Sequence, residues 1–179
     1  MNYTTFIESL ICYKTGIFII PEENQSLETI IRFAENNPGC FEREHPGHIT
    51  GSAWIVNHDY SKVLLTHHKK LNIWLQLGGH ADGNPHMEQV ALREAQEESG
   101  IAGLQLLNGQ IFDVDVHHIP GKCITHYDIR YLLCAPIHSQ YKVSPESHDL
   151  AWVSLDEISS YSQERSIIRM TEKIQAFTM

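Results

Sequence analysis

The sequence predicts a compact α/β sandwich, and three observations predict this fold class. Strand-like and helix-like segments intermix without the regular alternation of a βαβ series. Helical patterns occupy the chain before Gly47, and strand patterns become frequent after it. The 179 residues supply one sizeable core with some appended structure, but not two full-sized domains.

Two helices are predicted in the N-terminal part of the chain. Apolar residues recur at helical spacing in residues 5–13 and again in residues 26–36, where Ser26 is the expected N-cap. We therefore expect an N-terminal helical extension packed on the core, residues 1–46, followed by the main domain, residues 47–179.

Strands dominate the main domain. Runs of β-branched and aromatic residues between turn signals predict strands at 49–56, 62–67, 111–118, 125–134 and 151–154. The first two are expected to form a hairpin, and the next two meet at the Pro120-Gly121 turn. The segment through Gly78 and Gly79 is predicted to be a loop. A helical stretch begins at residue 155, and another spans residues 163–177.

An acidic helix is the strongest functional signal. Asn84 is its expected N-cap, Pro85 its first residue and Gly100 its end. At 3.6 residues per turn, three carboxylates fall within one arc of about 100°. They are Glu94, Glu97 and Glu98. No Lys or Arg follows them at ion-pair spacing, so this face costs stability unless a cation joins it.

The surroundings of these acids favour a metal site over a merely solvated face, which is the common outcome for an acidic helix. Carboxylates on a rigid element are hard oxygen ligands of the kind that Mg²⁺ or Mn²⁺ prefers. The bend at Leu77-Gly78-Gly79 lets backbone approach such ions, because glycine has no side chain to block them. The chain has a net charge of -9. Such an acidic protein can bind a phosphorylated substrate only if metal ions lie between its carboxylates and the phosphates.

Residues 79–101 resemble the Nudix box, G-x5-E-x7-R-E-U-x-E-E-x-G-U, in which U is aliphatic. The matching residues are Gly79, Arg93, Glu94, Glu97, Glu98, Gly100 and Ile101, with Ala95 as a small aliphatic residue. The resemblance implies a loop-helix-loop in which the box glutamates hold the metals. It also implies that Gly78 offers a backbone carbonyl to a metal and that Arg93 orients a glutamate.

The chain departs from the box at one position. Pro85 stands where the pattern has its first Glu. Asp82 is the nearest acid on the loop, and it can substitute in part by touching a metal-bound water or by fixing the loop. The departure leaves the number of metals open and the reaction class unchanged.

The resemblance extends over nearly the whole chain. Residues 47–54, 64–71, 74–83 and 146–148, together with Trp152, are similar to a bacterial Nudix subgroup with a Gly-Gly-His-Ala-Asp-Gly loop. The implied fold is an α/β/α sandwich with a mixed sheet, preceded by N-terminal helices. The implied activity is metal-dependent hydrolysis of a diphosphate bond in a small substrate of the nucleoside-diphosphate-X type.

Residues outside the box are expected to complete the site. The resemblance implies a further acid, as metal ligand or general base, and Glu146 is our choice because a loop position lets it reach the metals. Asp128 and Asp149 are weaker candidates. The catalytic set is thus Arg93, Glu94 and Glu146. Trp74, His80 and His126 are the expected substrate contacts, ahead of His117 and His118.

Two other functions stay open. An isoprenoid-diphosphate isomerase on the same fold would resemble proteins that need an active-site cysteine and a glutamate, and no cysteine lies in a matching segment. A binding or regulatory module would follow if Pro85 marked a decayed site. Retention of the three box glutamates argues against decay, since without metal they cost stability.

The amino-acid composition limits the binding partners and the location that we expect for the chain. The acidic balance argues against general binding to nucleic acid backbone, which needs a basic face. No segment approaches the ~18 apolar residues of a membrane span, and the first residues lack the pattern of a secretory signal. The four cysteines are scattered and suggest neither a zinc ribbon nor a disulfide framework. We therefore expect a cytoplasmic enzyme with a small-molecule partner, and a homodimer is compatible with the sequence.

Overall fold

The computed structural model describes residues 3–14, 20–122 and 124–178 as an α/β sandwich around one mixed sheet. Its helices are α1 (Tyr3–Lys14), α2 (Pro21–Asn36), α3 (Met87–Ser99), α4 (Ile158–Tyr161) and α5 (Arg165–Thr178). Its strands are β1 (Gly47–Val56), β2 (Lys62–His68), β3 (Ile73–Leu75), β4 (Leu77–His80), β5 (Gln105–His118), β6 (Thr125–Cys134) and β7 (Ser147–Ser154). The predicted fold class is confirmed.

Strand β1 is the centre of the sheet, and every residue in it is buried. It pairs in parallel with β6 over its whole length, while its other edge pairs antiparallel with β4 and then with β2. Strands β3 and β7 flank β2, and β5 closes the other side beyond β6. The two predicted hairpins are confirmed, since β1 pairs with β2 and β5 pairs with β6 in antiparallel register.

Apolar side chains cover the two faces of the sheet separately. One cluster joins α1, α2 and α3 to the sheet through residues such as Phe6, Leu27 and Val90. The other joins α4 and α5 to the opposite face through residues such as Trp54 and Ile167. The N-terminal helices therefore share the core of the main domain, while the domain boundary at residue 47 stays a prediction.

Two predicted helix starts are wrong. Helix α2 begins at Pro21 rather than near Ser26, because proline fits the first turn, where its missing N–H is not needed. Helix α3 begins at Met87, so Asn84 and Pro85 precede it. The side chain of Asn84 accepts a hydrogen bond from the His86 N–H, at 2.9 Å, and thereby stabilises the turn before the helix.

Other predicted boundaries also need correction. The Gly78–Gly79 segment is part of strand β4 rather than a loop, because its backbone pairs with β1. Strand β5 begins at Gln105, six residues earlier than predicted from residue 111, with a register shift in its pairing to β6. Strand β7 begins at Ser147, so Glu146 lies directly before it. No helix among the described residues is long and apolar enough to cross a membrane.

A buried polar network ties α1, α2, α5 and β5 together. The Lys173 ammonium, which has three N–H donors, lies within hydrogen-bond distance of four acceptors: the carboxylates of Glu23 and Asp113, the Tyr13 hydroxyl at 2.9 Å and the Phe112 carbonyl at 3.0 Å. Both carboxylates are fully buried. A buried ion pair that loses one partner leaves an uncompensated charge, which is costly.

Replacing Lys173 with Met should therefore lower the free energy of unfolding by about 3–5 kcal/mol, measured by urea denaturation. Lys14→Met is the matched control, because Lys14 pairs with Glu28 on the surface and that change should leave the unfolding midpoint nearly unchanged. Equal small effects of the two substitutions would contradict a structural role for the Lys173 network.

Candidate active site

Helix α3 and strand β4 hold the box residues against each other. A side chain at Gly79 has no room, since a Cβ there would lie 2.4 Å from a carboxylate oxygen of Glu94. Helix α3 also packs on β1, where a Cβ at Gly51 would lie 2.8 Å from Val90. The two glycines thus allow the acidic helix to approach the sheet closely enough to bring its carboxylates to the backbone of β4.

Glu98 is the buried member of the acidic face. Its carboxylate accepts a hydrogen bond from the Gly78 N–H at 3.2 Å. Burial raises the pKa of Glu98 to about 8, and the negative charges of Glu94 and Glu146 add to that effect, while the Gly78 N–H opposes it. No cation-bearing side chain is paired with Glu98 among the described residues, so its ionised form lacks compensation.

Glu94 is the second inward-facing acid, and its side chain is 15 % exposed. Burial raises its pKa, Arg93 opposes the shift, and the charges of Glu97 and Glu146 reinforce it. The Arg93 guanidinium lies 3.0 Å from the Glu94 carboxylate and also donates to the His80 carbonyl at 2.9 Å. Arg93 therefore connects the acidic helix to the end of β4.

Arg93 corrects the prediction that the acidic face has no basic partner. Besides Glu94, it reaches Glu97 at 3.8 Å, one helical turn further on. The prediction considered only basic residues that follow the acids along the chain, whereas Arg93 precedes them. Glu97 itself is 61 % exposed. The three box glutamates are therefore close but unequal, with Glu98 buried, Glu94 half-buried and Glu97 at the surface.

The loop before α3 is held by an ion pair. The Asp82 carboxylate accepts two hydrogen bonds from Arg43, both at 2.5 Å, and this pairing lowers the pKa of Asp82. Of the two roles expected for Asp82, the contact with Arg43 supports loop fixation. Glu146 lies in the exposed turn before β7, and its charge acts on both Glu94 and Glu98.

The donor atoms suit a hard divalent cation. The carboxylates of Glu94, Glu97 and Glu98 and the carbonyl of Gly78 offer only oxygen, the ligand type that Mg²⁺ and Mn²⁺ prefer. Since Glu98 lacks a cationic partner among the side chains described, a bound cation would supply the compensation that its ionised form needs. The residues present therefore fit the metal.

Four histidines cluster on the sheet. His48, His80 and His126 have ring centroids 4.8–5.5 Å apart, and His117 lies 5.4 Å from His126. Burial lowers the pKa of His126 to about 3, with the neighbouring His117 and His48 adding to the effect. Burial likewise lowers the pKa of His80. The structure thus brings together His80 and His126, two of the three residues predicted to contact a substrate, and that contact stays a prediction.

Trp74, the third expected contact, lies elsewhere on the sheet. Its ring stacks on His67 at 5.0 Å and 13° and meets Tyr161 edge to face. It also packs against the apolar cluster under α5. Its role toward a substrate stays a prediction.

Sequence reasoning missed two residues near the site. His48 was not singled out, although alternation along β1 places it on the same face as Thr50 and Ser52. Asp128 was ranked only as a weaker candidate for the further acid, but it is buried and accepts hydrogen bonds from four groups. These come from Thr50, Ser52, Gln76 and Arg130, at 2.8–3.2 Å. Asp128 therefore organises the sheet beneath the Gly78–Gly79 segment. Asp149 is exposed and accepts from the Leu150 N–H.

Comparisons with known proteins identify the family and the fold of the chain. A family model described as NUDIX domain matches residues 48–173, well over half of the chain. A hydrolase of the NUDIX family from Clostridium perfringens has a TM-score of 0.61 and 26 % identity, covering 73 % of this chain and 97 % of that one. Among the curated proteins, none matches.

Two structures with lower sequence identity to this chain share the fold. An Ap4A hydrolase from C. elegans has a TM-score of 0.63 at 19 % identity, covering 72 % of this chain and 96 % of that one. A MutT protein from Methanosarcina mazei has a TM-score of 0.56 at 22 % identity, covering 75 % and 96 %.

The raised pKa of Glu98 predicts a pH-dependent stability. Between its ordinary value of 4.5 and about 8, the unfolded chain loses this proton while the folded chain retains it. The stability of metal-free protein should therefore fall as the pH rises through this window. Melting temperatures in chelator should decline less steeply from pH 5 to pH 8 in Glu98→Gln. Glu97→Gln, at an exposed position on the same helix, is the control, and parallel curves for Glu98→Gln and wild type would contradict the assignment.

Proposed function

The chain belongs to the Nudix family and is a Nudix hydrolase, and from this premise we propose that it hydrolyses a diphosphate bond in a small nucleoside-diphosphate-X substrate. The proposed cofactor is Mg²⁺ or Mn²⁺, held by Glu94, Glu97, Glu98 and the Gly78 carbonyl. The single observation that carries the proposal is the packing of Glu94 and Glu98 against the Gly78–Gly79 backbone.

The protein side of the chemistry is mainly the positioning of charge. When bound, a divalent cation neutralises diphosphate oxygens and lowers the pKa of water. Arg93 holds the Glu94 carboxylate from one side and the end of β4 from the other, so we assign it an orienting role. Water attacks phosphorus, the bridging P–O bond breaks, and a carboxylate accepts the proton that the attacking water loses.

Glu146 and Glu94 are the two candidates for that proton acceptor. Glu146 is exposed, and its position directly before β7 lets it approach substrate without distorting a strand. Its electrostatic effect on Glu94 and Glu98 supports its assignment to the same site. Glu94 is half-buried and contacts Arg93, which favours a role as ligand. We therefore propose Glu146 as the general base.

The proposed substrate class rests on a structural comparison and on one aromatic side chain. One protein that shares the fold is an Ap4A hydrolase, and this supports a nucleotide-like compound. We propose Trp74 as the stacking partner for its base because it is aromatic and half-buried, and a base would have to share or displace the contact that its ring makes with His67. The isomerase alternative gains no support, since the described cysteines lie on α1, after α2 and at the end of β6. Burial also raises the pKa of Cys40 to about 11, which disfavours a reactive thiolate.

Metal binding is tested by thermal stability. Mg²⁺ or Mn²⁺ should raise the melting temperature of the wild type, because an ion that binds only the folded chain stabilises it. The Glu94→Gln, Glu98→Gln double variant should show a much smaller rise. Replacement of Glu28, an exposed acid on α2, by Gln is the control. Equal rises in the double variant and the wild type would rule out the box metal site.

Catalysis is tested on a panel of nucleotide sugars, dinucleotides, nucleoside triphosphates and other diphosphates, with phosphate detected after a coupled phosphatase step. On the best substrate, Glu146→Gln should lower the rate about 10²- to 10⁴-fold with unchanged metal requirement. Glu94→Gln should lower the rate and raise the metal requirement. Near-wild-type turnover in both variants would refute the assignment, and absence of hydrolysis across the panel would favour a regulatory module.

A further inference from the structure

The sheet carries a second group of ligand-type side chains outside the acidic helix. His48 lies on β1, His80 on β4 and His126 on β6, and the register places His126 beside His48 and His80 beside Thr50. Alternation puts all three side chains on one face. Nitrogen atoms of the three rings lie within 4.8 Å of one another.

Of the three histidines, His48 points most clearly to a metal ligand. It is 2 % exposed, and its Nε2 atom is buried without a hydrogen-bond partner among the residues that the structure describes. Its Nδ1 atom lies 2.9 Å from the His45 carbonyl, which can only accept, so Nδ1 carries the proton and donates it. The tautomer therefore leaves a lone pair on Nε2. A buried polar atom of this kind normally has a partner.

A carbonyl that fixes the far nitrogen of an imidazole is the usual support of a metal-bound histidine. Three neutral imidazoles suit Zn²⁺ and related transition ions, whereas Mg²⁺ prefers oxygen. The ligand atoms of a tetrahedral Zn²⁺ site lie about 3.3 Å apart, as Zn–N bonds of ~2.0–2.1 Å require. Small side-chain rotations would bring the three nitrogens from their present spacing to this distance.

We propose that His48, His80 and His126 form a transition-metal site that takes a Zn²⁺-type ion, separate from the acidic box. The two sites lie on opposite faces of β4. A Cβ at Gly79 would point at Glu94, whereas His80, the next residue, projects to the other face. The two sites also differ in their donor atoms, because the histidines offer nitrogen and the box glutamates offer oxygen.

Three histidines leave one coordination position for water or a substrate oxygen. The nearby Asp128 does not fill it, because each of its carboxylate oxygens already accepts two hydrogen bonds. His117 is next to His126, but its Nδ1 atom faces Asp115 at 3.2 Å. The site thus has the composition of an open, three-histidine centre.

The test is a titration of the metal-stripped full chain with Co²⁺, followed by visible absorption, and with Zn²⁺ in competition. Wild type should bind one ion per chain with the intense bands of four-coordinate Co²⁺. His80→Gln and His126→Gln, both at half-buried positions, should each weaken binding by more than about 100-fold, beyond the effect of losing an outer partner. Circular dichroism confirms that each variant is folded. These two variants are used rather than a change at the buried His48, because that substitution endangers folding.

Two controls separate this site from the box. His138→Gln removes an exposed histidine and should leave Co²⁺ binding unchanged. The Glu94→Gln, Glu98→Gln variant should also retain the Co²⁺ spectrum while losing its response to Mg²⁺. Loss of the spectrum in that variant, or its persistence in His80→Gln and His126→Gln, would overturn the proposal. Failure of the proposed diphosphatase activity would leave this result unaffected, because the readout is spectroscopic.

Discussion

The burial of one guanidinium group organises the sheet and the helices around it. The Arg130 side chain is 2 % exposed and donates to Asp113, Asp115 and Asp128. A buried charge is tolerated only when it is paired and hydrogen-bonded, so three strand carboxylates must turn inward. Burial raises the pKa of Asp113, yet Arg169, Arg130 and Lys173 outweigh it and hold the pKa below its ordinary value. Each buried charge in this network is thus compensated by neighbouring charges of opposite sign.

This network reaches the active site through Asp128. Two of its hydrogen-bond donors, Thr50 and Ser52, lie on β1 opposite β4, and a third, Gln76, precedes β4. The backbone of Gly78 is therefore supported by a buried polar layer rather than by flexible loop contacts. In contrast, Glu98 has no cationic partner among the described residues, whereas Glu94 pairs with Arg93. The backbone of β4 at the candidate site is therefore held by hydrogen bonds, while the buried carboxylate of Glu98 beside it depends on the Gly78 N–H.

The acidic helix could be predicted because the residues that define it are neighbours along the chain. The spacing of Glu94, Glu97 and Glu98 fixes their shared face on any helix, and the match to the box fixes their expected role. Strand β6 was predicted with its observed bounds for a similar reason, since β-branched and aromatic residues fill it between turns. The starts of α2 and α3 were not, because a proline, a preceding turn and tertiary packing compete with the capping preferences of Ser26 and Asn84.

By itself the sequence determined the family, the mixed α/β class and the box residues, since each depends on neighbours along the chain. Only the tertiary structure decided which distant residues meet. The parallel pairing of β1 with β6 joins residues nearly eighty positions apart, and no local pattern specifies that register. It is this pairing that sets His48 beside His126 and Thr50 beside Asp128. The burial of Asp128 was also decided by the tertiary structure. Alternation along a strand defines two faces, but which of them is buried depends on the long-range pairing.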